Sequence, residues 1–170
     1  LSLKGCCNIT DWSPLHTLSN LITVSLAECA PKHSIADLAS NVGMKDLDIS
    51  WNEALADISH MKFFSGIQRL NLGECMNLSD ISVFVWCNIQ ILSLRKCILV
   101  GDLSPLTQCI DLKELDLYGC ASVNDLSPLG KCPRLFKLSV EYCQALPSLE
   151  GLRDCKVLRH LDARNMRTLP

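Results

Sequence analysis

One short pattern recurs along this 170-residue chain at a nearly fixed interval. Apolar triplets stand at Leu1-Ser2-Leu3, Val24-Ser25-Leu26, Leu47-Asp48-Ile49, Leu70-Asn71-Leu72, Leu92-Ser93-Leu94, Leu115-Asp116-Leu117, Leu138-Ser139-Val140 and Leu161-Asp162-Ala163. Every step between them is 23 residues except one of 22. So constant a period means that each unit is one turn of a stacked array and buries its apolar residues against its neighbours instead of in a central core. Residues 1–170 read as a single domain of eight coils starting at 1, 24, 47, 70, 92, 115, 138 and 161.

Within a coil, Leu115 and Leu117 alternate with Asp116 and Tyr118, so a short strand buries the leucines and turns the other two outward. A 20–29-residue period headed by L-x-L-x-x-(N/C) is the signature of a leucine-rich repeat. The predicted fold is therefore an α/β solenoid: a parallel concave sheet of about eight short strands and a convex side of turns and short helical segments. After the strand, Cys120 and Val123 point inward. Asp125 recurs as Asp11, Asp57, Asp80 and Asp102, with Asp37 further along its own coil. Such a row of carboxylates resembles a metal or catalytic array, but aspartate before a turn ordinarily accepts local backbone N–H groups. Ser-Pro-Leu follows at 13–15, 104–106 and 127–129, and predicts helical turns with serine as N-cap and proline as first helical residue, closed by Leu129 and Cys132. Ala30-Pro31-Lys32-His33-Ser34 lengthens the turn after Cys29 and shortens the following convex segment, and one residue is lost after Cys87.

Ten of the eleven cysteines keep repeat register. Cys6, Cys29, Cys75, Cys97, Cys120 and Cys143 fall five residues into their coils, where Asn52 and Met166 fill the same slot. Cys87, Cys109, Cys132 and Cys155 fall seventeen residues in. Cysteine in register acts as a small buried residue with a weak S–H donor. Reduced thiols and an intracellular location are expected. Cys7 is outside both ladders and is the expected exposed thiol.

The DLSPL stretches at 102–106 and 125–129 resemble the internalin and phosphatase-regulator type of leucine-rich repeat. The paired cysteines of Cys132-Pro133-Arg134-Leu135 through Cys143 resemble the repeats of F-box proteins. A 23-residue unit combining both, as in Leu3-Lys4-Gly5-Cys6 through Leu15, is similar to the leucine-rich repeat family of trypanosomatids. That resemblance implies a partner-binding array, with ubiquitin-ligase and phosphatase roles among its possibilities.

Two outward columns follow the strand leucines. The first is Lys4, Ala27, Ser50, Gly73, Arg95, Tyr118, Glu141 and Arg164; the second is Gly5, Glu28, Trp51, Glu74, Lys96, Gly119, Tyr142 and Asn165. Aromatic and arginine side chains are the types enriched at binding hot spots. The candidate partner-binding residues are therefore Trp51, Arg95, Lys96, Tyr118, Glu141, Tyr142 and Arg164, on a face whose rival reading is self-pairing, Arg95 with Tyr118 and Glu141 with Arg164. Trp12 and Trp86, on the convex half, read as packing residues.

Other chemistry finds little support. His16, His33, His60 and His160 occupy unrelated coil positions, and no CxxC pair or phosphate-cradling glycine loop occurs, so no catalytic residue, metal or cofactor is assigned. A net charge of −2 gives no footprint for nucleic acid. Apolar runs such as Ile81 to Trp86 are too short to span a bilayer. Neither Leu1 nor Leu169-Pro170 reads as a cap, which predicts a segment of a longer polypeptide. The expected function is a non-enzymatic protein-binding scaffold using the concave face; the alternatives are a substrate-recognition arm of a ubiquitin ligase, a phosphatase regulator, or a structural subunit of a large assembly.

Overall fold

A computed structural model gives the fold and describes residues 1–29 and 35–166. Seven three-residue strands, β1 (Thr23–Ser25), β2 (Asp46–Asp48), β3 (Arg69–Asn71), β4 (Ile91–Ser93), β5 (Glu114–Asp116), β6 (Lys137–Ser139) and β7 (His160–Asp162), pair in chain order as one parallel sheet. The first coil contributes a single bridge, Ser2 to Ser25, in place of an eighth strand. Register follows the triplets: Val24 lies beside Leu47, Leu70 beside Leu92 and Leu138 beside Leu161. The architecture is a leucine-rich repeat solenoid. Each strand begins one residue before its triplet, which adds an outward column (Thr23, Asp46, Arg69, Ile91, Glu114, Lys137, His160) that counting from the leucines omits.

Between the sheet and the convex side runs a continuous core in which Leu72, Leu94 and Leu117 are fully buried. Burying one such side chain stabilises the fold by roughly 1.5–3 kcal/mol. The convex side consists of 3-10 turns, at Ser13–Thr17, Ala36–Leu38, Ser59–Phe63, Ser82–Trp86, Ser104–Gln108, Ser127–Lys131 and Glu150–Leu152. The shortened second coil keeps three residues of helical turn, with Asp37 inside it. The lengthened loop at 30–34, including His33, and the end at 167–170 lie outside the described residues. The residue lost after Cys87 is absorbed there: Cys87 is extended (φ −114°, ψ 138°), whereas Cys109 takes φ −82°, ψ 64°.

Serine is not the cap of these turns. No serine side chain caps them, because each serine is already the first residue of its turn. Its backbone N–H donates instead to the aspartate two residues earlier: Ser59 to Asp57, Ser82 to Asp80, Ser104 to Asp102 and Ser127 to Asp125, all at 2.8 Å, and Ser13 to Asp11 at 2.9 Å. The Ser104 and Ser127 hydroxyls donate to the second carboxylate oxygen. Asp11, Asp57, Asp80 and Asp125 are held below the usual carboxylate range by these serine hydrogen bonds.

The cysteine ladders are structural. Thiols of the first ladder donate to the preceding coil, Cys97 to the Leu72 carbonyl at 3.1 Å, Cys120 to Leu94 at 3.0 Å and Cys143 to Leu117 at 3.1 Å. In the second, Cys132 donates to Leu106 at 3.3 Å. Burial pushes Cys75, Cys97, Cys109 and Cys132 up to about 12. Asn52 does more in the same slot: its amide donates to the Leu26 and Ile49 carbonyls and its oxygen accepts the Cys29 N–H at 3.0 Å. All the cysteines are free; Cys7 is exposed, and Cys6 and Cys155, near the two ends, are half-buried.

Candidate functional site

The chain leaves each strand through a four-residue turn that fixes where the candidate residues stand. Cys97 N–H donates to the Leu94 carbonyl at 2.9 Å, Cys120 to Leu117 at 3.0 Å and Cys143 to Val140 at 3.1 Å. The third residue of each turn is forced to positive φ, which glycine adopts without strain. That position is the second outward column. Every member of it is left-handed: Gly5 and Gly119, and also Glu28, Trp51 (φ 60°), Glu74, Lys96 (φ 55°), Tyr142 (φ 60°) and Asn165. In the first seven coils the N–H of this residue also continues the sheet ladder, as Trp51 to Gly73 at 2.7 Å and Lys96 to Tyr118 at 2.6 Å. A side chain in this conformation costs about 1–2 kcal/mol. Trp51 and Tyr142 bear that cost while 53% and 39% exposed, so inward packing does not compensate it.

Contacts along the rim divide the seven candidates into three groups. In the first, Lys96 bonds Glu74 at 2.7 Å and lies 6.0 Å from the Trp51 ring centroid. Glu74 is 3% exposed, so this ion pair is a structural tie for one partner and a surface contact for the other. Lys96 also explains Gly119, because its Cγ would lie 3.0 Å from any Cβ there. In the second group, the Arg95 guanidinium lies over the Tyr118 ring, Cζ 3.6 Å from the centroid, and Tyr118 meets Tyr142 at 5.2 Å. In the third, Arg164 pairs with Glu141 at 3.1 Å and with Asp162 at 2.7 Å, and Asn165 donates to Glu141 at 3.0 Å. Asp162 is held down chiefly by its hydrogen bond from Arg164. The pairings Arg95–Tyr118 and Glu141–Arg164, expected of a self-satisfied face, are both present.

Charges on this side follow a rule. A cation commonly sits one coil after its anion: Arg69 on Asp46, Lys96 on Glu74, Lys137 on Glu114 at 2.8 Å and Arg164 on Glu141. Lys4 pairs in the opposite direction with Glu28 at 3.2 Å. The small polar column inside the strands is occupied locally, Asp48 accepting from Ser50, Asn71 from Gly73 N–H and Asp116 from Tyr118 N–H.

The sequence reading missed one column of the concave groove. A depression of about 590 Å³ lies over the strand bodies of coils five to eight, lined by Ile91, Glu114, Lys137, Arg159 and His160. Ile91, Glu114, Lys137 and His160 belong to the column that precedes the leucines, and extending the strand's alternation one position toward the N-terminus would have found them; Ser93, Asp116, Ser139 and Asp162, from the small polar column inside the strands, also line it. Trp86 also departs from expectation. It is 69% exposed beside Phe63, at 45%, on adjacent convex turns, and packs no core, because the inward positions of its turn are already filled by Val83 and Phe84. Trp12 packs against the core.

Among the described residues no group of three or more His, Cys, Asp or Glu is placed to hold a metal ion. No helix among them is long and apolar enough to cross a membrane.

No protein-family model matches the sequence, nor does any curated protein. Solved structures do. The chain is similar to an internalin, InlF, from Listeria monocytogenes strain 4b F2365, with 26% identity and a TM-score of 0.76, covering 86% of this chain and 42% of that one. It is similar to internalin C2 of the same strain at 21% identity and a TM-score of 0.71, covering 90% of this chain and 66% of that one. In the mouse RP105/MD-1 complex the match has 16% identity and a TM-score of 0.64, covering 98% of this chain and 34% of the other. All three support the repeat architecture, and the chain spans less than two thirds of each.

Proposed function

We infer that this chain is a non-catalytic protein-interaction scaffold that holds a partner protein against its concave rim, through Trp51, Arg95, Lys96, Tyr118, Glu141, Tyr142 and Arg164. One observation carries the reading. A column whose backbone favours glycine at every coil holds exposed Trp51 and Tyr142 instead. Side chains kept against a conformational cost and without burial are retained for what they touch. The sheet fixes them in rows, so little ordering entropy is lost on binding. That a similar fold occurs in the RP105/MD-1 complex agrees with a protein as partner.

The cysteine-type repeats and DLSPL turns fit a trypanosomatid-type array working inside the cell as part of a larger protein or complex. Within this reading the partner's identity separates a ubiquitin-ligase arm, a phosphatase regulator and an assembly subunit. The test is affinity purification of the full-length protein from its native cells beside a Trp51→Ala, Tyr118→Ala, Tyr142→Ala variant, with both eluates identified by mass spectrometry. A partner missing only from the variant eluate is the expected result. Identical eluates would overturn the concave reading.

A second reading rests on Trp86 and Phe63, exposed rings that each end one of two adjacent convex turns. A partner lost from a Trp86→Ala variant and kept by the concave variant would decide for it.

A further inference from the structure

We propose that the concave rim recognises an acidic side chain, Asp or Glu, within an extended segment of its partner, gripped by Arg95 between two aromatic platforms. The proposal rests on the concave-face reading and specifies its chemistry.

Arg95 breaks the charge rule of its own surface. Arg69, Lys96, Lys137 and Arg164 each meet a carboxylate one coil before, and Lys4 meets one a coil after. Arg95 has no such partner. The residue one coil before it in the same column is Gly73, whose Cβ, were there one, would stand 3.5 Å from the Arg95 Cβ. Among the described residues the Arg95 guanidinium makes no hydrogen bond or ion pair, and its contact is the face of Tyr118 at 3.6 Å. Carboxylates of the adjoining coils make other contacts: Glu74 with Lys96, Asp116 with the Tyr118 N–H at 2.9 Å, Glu141 with Arg164 and Asn165.

The contact with the Tyr118 ring restrains this group. A guanidinium lying on a ring keeps its N–H donors in plane and directed past the ring edge, and less rotamer freedom remains to be lost when it binds. Such a fork matches a carboxylate in two parallel hydrogen bonds. Both ends of the site are apolar. Tyr142 extends the Tyr118 platform at 5.2 Å, and Trp51 stands two coils before Arg95 with half its surface exposed. Neighbouring strands lie about 4.8 Å apart, so Trp51 and the tyrosine pair are separated by roughly 15–17 Å, the reach of about five extended residues at about 3.3 Å each. The matching segment carries Asp or Glu between two apolar side chains roughly five positions apart.

The test is selection from a random peptide library displayed with each peptide's C-terminus joined to the phage coat, so that no free terminal carboxylate is offered. Selected sequences are then made as acetylated, amidated peptides, and their affinities are measured by fluorescence anisotropy. We expect Asp or Glu enriched between apolar residues on the wild type. Arg95→Ala should weaken binding about tenfold or more, Arg95→Lys by an intermediate factor, and replacing the peptide's Glu by Gln should match the Arg95→Ala loss without adding to it. Selected peptides that lack an acid, or whose affinity ignores Arg95→Ala, overturn the proposal, as does failure to select any peptide. The concave reading is scored separately with Trp51→Ala and Tyr142→Ala. Peptides weakened by these but indifferent to Arg95→Ala refute the acidic grip alone, whereas peptides indifferent to all three refute both.

Discussion

Two columns, one residue apart in every coil, have opposite characters. The inward one is nearly uniform: Cys29, Cys75, Cys97, Cys120 and Cys143 with Asn52, all fully buried. The outward one, immediately before it, repeats a single left-handed conformation and yet carries Glu28, Trp51, Glu74, Lys96, Gly119, Tyr142 and Asn165. Uniformity inward follows from the space between stacked coils, which admits a small side chain able to donate to the preceding carbonyl. Variety outward runs against the backbone, which favours glycine everywhere. The first column is explained by folding and the second is not.

The comparison is broken most forcefully at Asn52. Asn52→Ala removes the partner of the buried Cys29 N–H and of the Leu26 carbonyl, leaving the Ile49 carbonyl only its Cys75 thiol donor, and is expected to cost roughly 2–4 kcal/mol, read as a lower urea midpoint at unchanged slope. Asn52→Cys restores the ladder donor but not the acceptor, and should lose about half as much. If the two variants were equally stable, the amide would not be what holds that coil.

Next in size is one substitution made twice in the outward column. Replacing Lys96 by Gly relieves the backbone but strands the buried Glu74 carboxylate; because Lys96 itself is half-exposed, the net loss should be about 1 kcal/mol. Replacing Trp51 by Gly gives the same relief and removes no buried partner, so stability should hold or rise by up to about 1 kcal/mol, while partner binding falls. Loss of stability in both would mean that Trp51 is a packing residue and would remove the main support for the concave rim.

The solenoid was legible because a 23-residue period forces register: once Leu70 and Leu92 are aligned, so are the strands, the inner cysteines and the convex turns. What escaped notice lay where the period says nothing. It does not say on which residue a strand begins, so Ile91, Glu114, Lys137 and His160 were left off the concave face. Nor does it distinguish a serine that caps a turn from one that begins it after an aspartate; the serine N–H donating back to the aspartate, as Ser104 to Asp102, does so. Trp86 was misread because large apolar residues at helical spacing usually pack, and here Val83 and Phe84 already fill the core. The candidate rim residues were found as columns, but their grouping, and the isolation of Arg95 from any carboxylate, depends on side-chain reach.

The smallest expected effect concerns the convex aspartates, a third row whose uniformity matches that of the cysteines. Hydrogen bonds from Ser59 and Ser82 lower Asp57 and Asp80. An unfolded aspartate titrates near 3.9, so these groups bind protons more readily unfolded than folded. Their stabilisation is fully present above that value and is lost as pH falls through the lowered one. Both are largely solvated, so each contributes a few tenths of a kcal/mol after screening. In Asp57→Asn, Asp80→Asn the amide oxygen still accepts the serine N–H, so stability at pH 7 should drop only slightly and the acid-induced fall of the urea midpoint between about pH 4 and 2 should become shallower. A turn device of this kind is indifferent to divalent cations. Millimolar calcium chloride should leave the thermal midpoint of wild type and variant equally unmoved, and a calcium-dependent rise confined to the wild type would make the row a ligand site after all.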